Sequence, residues 1–357
     1  MHVGLLGLPQ AGKKTLLHLL TGVDARSASP GPGETVPGIC AVRDPRVDRL
    51  SGLYRPKKTT PATIQYLLMP DLSKDSQKNQ ELLKALLAVD VLVLVVRAFE
   101  HDAVFHLDGS VDPRRDLDTL HTELLLNDLM FVEKRLERIQ KDAHRRSGVD
   151  REKEQALLQR LQAHLNENRP LRTLPLEAQD ATLLSGTPLL TRKAELTVLN
   201  IGEGDITQTA LRDELAQRHQ GQGVHVLQVS VKIEEELSQL DDPAEREAFL
   251  KELGITESAI AQLTRVSYEA LGLISYFTVG EDEVRAWTVR RGSSAAEAGG
   301  VIHSDIERGF IRAELIKYGD LIGLGSEQAV SQAGKSQLKG KDYVVEDGDI
   351  LNFRFNV

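Results

Sequence analysis

The chain has 357 residues, of which 41% are hydrophobic and 27% charged, and this predicts a soluble protein of two or three domains. Its formal net charge of −9 at pH 7 excludes a surface that coats nucleic acid through overall basicity, although a local basic face is compatible with it. The single cysteine, Cys40, excludes an intramolecular disulfide framework and indicates a reducing cytoplasm, and no apolar run approaches the roughly 18 residues of a membrane span.

The chain begins with the pattern of a strand, a glycine-containing loop and a helix. Val3 to Leu6 is apolar, and the helical stretch from Thr15 follows the spacing Gly7-x-x-x-x-Gly12-Lys13. In that context the glycines let backbone N–H groups converge on phosphates, the helix directs its positive end at them, and the lysine adds a point charge. The sequence therefore predicts a P-loop that binds a nucleotide. The residues assigned to the phosphates are Gly7, Gln10, Ala11, Gly12, Lys13, Lys14 and Thr15.

The position after Lys13 is unusual for a P-loop. A serine or threonine there coordinates Mg²⁺ through its hydroxyl, whereas the ammonium of Lys14 cannot. Thr15 follows and is placed to reach an α-phosphate. Three interpretations stay open: Mg²⁺ binding is weakened, Lys14 partly replaces the charge of the metal, or Lys14 is solvated and has no role at the nucleotide.

Further apolar runs predict the buried strands of a mostly parallel sheet. They lie at Thr63 to Met69, Val91 to Val96, Leu196 to Leu199 and Val224 to Val229. Helical patterns lie between them, so the predicted class of this part is α/β.

The alternation of strands and helices is interrupted between about residues 113 and 190. Apolar residues spaced three and four apart predict two long helices, joined at Ser147-Gly148, that form an antiparallel coiled-coil hairpin inserted between two strands. Acidic residues interleave with its many bases, so the pattern fits a solvated exterior at least as well as a nucleic-acid face. The bases are Lys134, Arg135, Arg138, Lys141, Arg145, Arg146, Arg151, Lys153 and Arg160.

The pattern of hydrophobic and polar residues changes again after about residue 275. Arg285 to Val289 alternates like a strand, a helical stretch covers about 294–300, and a last strand covers Ile350 to Phe355. These elements predict a small α+β domain. The predicted organisation is a P-loop domain of residues 1–112 and 191–274, an inserted hairpin of residues 113–190, and a C-terminal domain of residues 275–357.

Taken together, these segments resemble the Obg-like ATPase (YchF) family over nearly the whole chain. The loop from Gly7 to Leu16 is similar to the family's GLPNVGKSTL, and residues 44–64 follow its switch region. Residues 276–288, with Gly309 to Glu314 and Phe353 to Val357, resemble its TGS domain, a small β-grasp module. The resemblance implies a P-loop NTPase fold, nucleotide hydrolysis and association with ribosomes.

The resemblance also assigns residues that read the base. Asn200-Ile201-Gly202-Glu203 stands where related GTPases carry N-K-x-D, whose aspartate takes two guanine N–H donors. The family's N-x-x-E is associated with a preference for ATP, because without the aspartate the two hydrogen bonds that favour guanine are lost. ATP or ADP is therefore expected in preference to GTP or GDP. The residues assigned to this part of the site are Asn200, Ile201, Glu203, Ser230, Val231 and Lys232.

The departures from the family pattern lie around the γ-phosphate. Leu68 replaces a switch II aspartate that helps to hold Mg²⁺, and Asp71 replaces a glycine, where a carboxylate that points inward repels that phosphate. The switch I threonine is missing, which leaves Thr35 as the residue assigned to the metal. His106 matches a histidine implicated in hydrolysis and is the assigned catalytic residue, although a loop histidine is more often a surface residue.

The resemblance thus implies a divergent paralogue that binds an adenine nucleotide, holds Mg²⁺ weakly or not at all, and hydrolyses slowly or not at all. It implies a partner, the ribosome or a structured RNA, on the faces of the hairpin and the TGS domain. DNA sequence specificity, a membrane and oligomers are not expected. Two alternatives remain: an active ATPase whose metal is held by phosphates, water and Thr15 or Thr35, and a nucleotide-free scaffold.

Overall fold

The computed structural model describes residues 2–356 except 26, 28–30, 32, 74–78, 142–148, 185 and 256. The chain divides into two compact units, one formed by Met1–Gly38 with Gln65–Leu263 and the other by Ile39–Ile64 with Thr264–Val357. The three-part boundaries expected from the sequence stay a prediction. Among the described residues, no helix combines the length and the apolar character that crossing a membrane requires.

The strands form two sheets, with the strand orders β2-β4-β1-β5-β6-β7 and β11-β10-β12-β8-β9-β3. In chain order the strands are β1 (His2–Leu6), β2 (Val36–Ala41), β3 (Lys58–Thr60), β4 (Thr63–Leu68), β5 (Val91–Ala98), β6 (Ala194–Ile201), β7 (Val224–Val229), β8 (Leu273–Thr278), β9 (Glu283–Arg290), β10 (Phe310–Lys317), β11 (Gln337–Lys339) and β12 (Asp349–Phe355).

The helices occupy most of the stretches between these strands. They are α1 (Lys13–Thr21), α2 (Pro45–Tyr54), α3 (Gln80–Ala85), α4 (Pro113–Lys141), α5 (Val149–Asn166), α6 (Ala178–Leu183), α7 (Ala210–Arg218), α8 (Val231–Gln239), α9 (Pro243–Glu252), α10 (Ala259–Ala270), α11 (Ala295–Ile302), α12 (Ser304–Arg308), α13 (Tyr318–Leu324) and α14 (Glu327–Gln332).

The first sheet is parallel through its centre. β1 pairs in parallel with β4 and β5, β5 pairs with β6, and β6 pairs with β7. Its strands carry runs of valine and leucine because helices cover both faces, and Leu94 and Leu199 are fully buried. Each such leucine contributes about 2 kcal/mol through burial. The predicted α/β class is confirmed, and each predicted strand run is found, with β5 and β6 extending beyond their apolar cores.

The predicted helical insertion is confirmed between β5 and β6, where α4 and α5 pack on each other around a core of their own. Val132 and Leu136 of α4 lie in that core with Leu157 and Leu161 of α5. The predicted turn at Ser147-Gly148, like the bases Arg145 and Arg146, lies outside the described residues.

The insertion is fastened at its base by a buried carboxylate. Asp128 of α4 is fully buried and accepts hydrogen bonds from the backbone N–H groups of Leu190 and Thr191, both at 2.8 Å. The Thr191 hydroxyl donates a third at 2.6 Å. Burial raises the pKa of Asp128, and these donors oppose that rise. The carboxylate thus ties the outgoing helix to the chain that returns to β6.

The second unit confirms the predicted C-terminal α+β domain and adds an N-terminal segment to it. β8 pairs antiparallel with β9 and parallel with β12, and β10 pairs antiparallel with β12 and β11. β3 extends this sheet by pairing in parallel with β9, which the sequence did not predict. Arg46 of α2 lies over the Phe277 ring and pairs with Asp347 at 2.7 Å.

Candidate nucleotide-binding site

The loop between β1 and α1 has the geometry of a phosphate cradle. A Cβ on Gly7 would lie 2.3 Å from the Val95 carbonyl oxygen, and one on Gly12 would lie 2.3 Å from the Asn200 amide nitrogen. Gly12 also has a φ of 96°, in the left-handed region that favours glycine. No side chain of a described residue caps α1, so the N–H groups of its first turn remain available to an anion. The loop therefore requires both glycines and fits a phosphate.

Lys13 lies inside this loop, with its side chain only 4% exposed. Its Nζ donates to the carbonyl oxygens of Gly7 at 2.6 Å and Leu8 at 3.0 Å. The third partner is the Asp71 carboxylate, at 2.6 Å. Burial lowers the pKa of Lys13, whereas Asp71 acts to raise it. The ammonium is thus fixed at the cradle, and the carboxylate that the sequence placed near the γ-phosphate does point inward.

The other residues assigned to the phosphates differ in their exposure to solvent. Lys14 is partly exposed, and its charge acts to lower the pKa of Lys13, so two cations share the loop. Thr15 is partly exposed, Gln10 is exposed, and Ala11 is buried.

Asn200 connects the phosphate loop to the predicted base-reading segment. It is 4% exposed; its Nδ2 donates to the Ala11 carbonyl at 3.1 Å, and its Oδ1 accepts from the Val231 N–H at 3.3 Å. The structure thus brings the two predicted halves of the site together through one side chain. Ile201 packs its side chain into the core of the sheet, so only its backbone is available to a ligand.

The remaining base-reading residues present an ion pair and a buried hydroxyl. Lys232 Nζ lies 2.5 Å from Glu203 Oε2, and this contact raises the pKa of the lysine. Ser230 is 3% exposed, and its Oγ makes no hydrogen bond with a described residue. The sequence assigned Glu203 and Lys232 separately and did not predict that they pair.

The positions that hold magnesium in ordinary P-loop proteins offer few ligands here. Leu68 is 1% exposed at the end of β4 and packs in the core, and Lys14 carries an ammonium where a hydroxyl is expected. Thr35 is partly buried, one residue before β2. Asp71 supplies a carboxylate, but it is already bound to Lys13.

His106 is buried, so the expectation that a loop histidine lies at the surface is wrong for this residue. Its Nδ1 accepts from the Asp108 N–H at 3.1 Å, which leaves Nε2 to donate to Asp116 at 2.8 Å. Ligand atoms of these three side chains lie within 4.8 Å of one another, but Arg115 already pairs with Asp116 at 3.0 Å. In this arrangement His106 anchors its loop to α4, and its catalytic role stays a prediction.

A parallel sheet with a buried lysine in a glycine-flanked loop after its first strand defines the P-loop class of proteins. A family model, "YchF-GTPase_C", described as a protein of unknown function, matches residues 273–356. The "Ribosome-binding ATPase YchF" of Bacillus subtilis is 40% identical, covering 99% of both chains, and that of Escherichia coli O157:H7 is 36% identical over the same shares. "Obg-like ATPase 1" of Oryza sativa subsp. japonica is 35% identical and covers all of this chain and 92% of that one.

The solved "YchF GTPase" of Schizosaccharomyces pombe superposes with a TM-score of 0.87 at 32% identity, covering 99% of this chain and 97% of that one. This chain belongs to the YchF family of Obg-like ATPases. A GTP-binding protein from Pyrococcus horikoshii, at 17% identity and a TM-score of 0.60, shares the fold.

Proposed function

We propose that this protein is a cytoplasmic, ribosome- or RNA-associated regulator that binds an adenine nucleotide and hydrolyses it slowly or not at all. The observation that carries the proposal is the buried Lys13 ammonium, held by the loop carbonyls of Gly7 and Leu8 inside an intact phosphate cradle. The two loop glycines and the start of α1 provide backbone N–H groups and room for a phosphate beside this cation. The chemistry around it is altered, because Leu68 and Lys14 supply no metal ligand.

We infer that magnesium is held weakly or not at all and that Lys14 contributes part of the missing positive charge. The test is calorimetric titration of the full chain with ADP, ATP, GDP and GTP, with and without Mg²⁺. Binding of adenine nucleotides of similar strength in both conditions supports the proposal. Binding that needs Mg²⁺, with turnover, would favour an active ATPase, and no binding of any nucleotide would favour a scaffold.

The base preference follows from the pair formed by Glu203 and Lys232. A carboxylate held by an ammonium at 2.5 Å gains little from the N–H donors of guanine, so the wild type should bind ADP about tenfold more tightly than GDP. Glu203→Asp, which shortens the side chain away from Lys232, should narrow that ratio. Glu252→Asp, an exposed site on α9, serves as the matched control. Tighter GDP than ADP binding by the wild type would contradict the assignment.

The proposed ribosome or RNA partner rests on the relatives named as ribosome-binding and on the exposed bases of the hairpin. Some of these bases are already paired, for example Arg135 with Glu154 at 2.7 Å. Lys134, Arg138 and Lys153 are exposed and form no ion pair with a described residue, so their charges are free to neutralise phosphate. We propose that the hairpin and the TGS-like domain both contact the partner.

Reversing those three charges together, as Lys134→Glu, Arg138→Glu and Lys153→Glu, should weaken ribosome co-sedimentation. The slope of log affinity against log salt should fall by about 0.7 to 0.9 for each phosphate contact removed. A triple reversal of bases outside the hairpin, at the exposed Lys84 and Lys251 and the partly exposed Arg212, is the control. Equal losses in both triple variants would indicate a general charge effect and count against a hairpin interface.

A further inference from the structure

Asp71 takes the one donor of Lys13 that the loop does not use. An ammonium has three N–H donors, and Gly7 and Leu8 accept two of them. The third goes to the Asp71 carboxylate, whose side chain is 53% exposed while that of Lys13 is 4% exposed. The carboxylate therefore lies on the side of the ammonium that faces solvent, where the terminal phosphate of a nucleotide would approach.

The backbone holds Asp71 in this place. On one side of it, the Met69 N–H donates to the Leu5 carbonyl at 3.1 Å, and on the other the Leu72 N–H donates to the Gly7 carbonyl at 3.4 Å. Pro70 fixes its own φ immediately before Asp71. The segment is thus fastened to β1 and to the phosphate loop itself, so Asp71 stays beside the loop even if its side chain rotates.

We propose that Asp71 stands in for the terminal phosphate, so that the site selects a nucleoside diphosphate over a triphosphate. This inference rests on the proposed nucleotide binding and specifies its ligand as ADP. The β-phosphate of ADP is served by the loop N–H groups, the start of α1 and the nearby charge of Lys14. A third phosphate has to displace Asp71 from Lys13 or bind against its negative charge. Losing one charge-assisted contact in this way lowers affinity by about tenfold to a hundredfold.

The experiment is calorimetric titration of the full chain with ADP and with ATP in buffer without Mg²⁺, for the wild type and for Asp71→Asn. Asparagine keeps the size of the side chain and removes its charge, and Asp71→Gly removes both. The matched control is Asp282→Asn, which neutralises another aspartate paired with a lysine, Lys57, at 2.7 Å. Thermal unfolding of each variant verifies that it is folded.

The wild type should bind ADP at least about tenfold more tightly than ATP, and Asp71→Asn should tighten ATP until the ratio approaches one, with Asp282→Asn unchanged. Equal wild-type affinities, or a ratio that Asp71→Asn leaves unchanged, would overturn the inference while leaving nucleotide binding intact. Binding of both nucleotides only after Asp71→Asn would mean that the carboxylate closes the whole site, which also overturns diphosphate selection. No binding by any variant would refute the proposed function itself.

Discussion

Replacing Lys13 by alanine is expected to weaken adenine-nucleotide binding by about a hundredfold, because the positive charge at the centre of the phosphate loop is lost and nothing takes its place. The loss also leaves Asp71 without its cation at 2.6 Å, so its negative charge then opposes the phosphates directly. The measurement is the dissociation constant for ADP by titration calorimetry. Lys13→Met, which keeps the apolar stem and loses the charge, should behave in the same way.

Two comparisons make this result specific to Lys13. Lys14→Ala removes a neighbouring cation that is partly exposed, so a smaller loss is expected. Lys84→Ala removes an exposed lysine that pairs with Glu81 and should leave the dissociation constant unchanged. Nucleotide affinity within twofold of wild type in Lys13→Ala would show that the nucleotide binds elsewhere.

Restoring the altered positions together should raise Mg²⁺-dependent ATP hydrolysis by about a thousandfold, at roughly tenfold for each of three contacts. The triple variant carries Lys14→Ser, Leu68→Asp and Asp71→Gly. Phosphoryl transfer depends on positioning and charge neutralisation, and the three positions act as a unit, so any single change is expected to raise the rate by less than its roughly tenfold share. Single-turnover measurement of phosphate release, with and without Mg²⁺, gives the rates.

The burial of Leu68 supplies an independent readout of the same variant. Leu68 is 1% exposed, so Leu68→Asp puts a carboxylate in the core and should destabilise the protein by several kcal/mol unless a cation binds it. Mg²⁺ should therefore raise the melting temperature of the triple variant and leave that of the wild type unchanged. His106→Ala should affect turnover only in the restored background. A wild-type rate with strong Mg²⁺ dependence would show that Lys14, Leu68 and Asp71 do not impair the site.

The sequence predicts the elements whose pattern is local. The valine and leucine run of β5 predicts a buried strand. The spacing from Gly7 to Lys13, placed after an apolar strand and before a helix, predicts a phosphate loop. β3 shows the limit of this reasoning. Lys58–Thr60 is short, polar and mostly exposed, and it is a strand only because β9 lies beside it. Its sequence carries no hydrophobic period from which the pairing could be read.

The candidate site, like the fold, could be predicted only in part from the sequence. The loop after β1 and Asn200 at the end of β6 lie together in the structure, because the carboxyl ends of the parallel strands β1, β5 and β6 meet at one edge of the sheet. The partners of the charged side chains were not predictable, because an exposed glutamate such as Glu203 has many possible cations within reach. Asp71 was identified as a departure, but the sequence could not say whether its carboxylate turned inward or toward solvent.

The insertion of α4 and α5 between the paired strands β5 and β6 affects how the chain folds. β5 and β6 pair along their whole lengths although residues 99–193 separate them, and closing a loop of that length costs about 4 kcal/mol in chain entropy. A folded hairpin clamped through Asp128 to Leu190 and Thr191 removes most of that span before β6 arrives. Until then β5, whose side chains are almost all buried in the finished sheet, has one edge unpaired and open to association with other chains. The speed at which the hairpin forms therefore sets how long the newly made chain is exposed to aggregation.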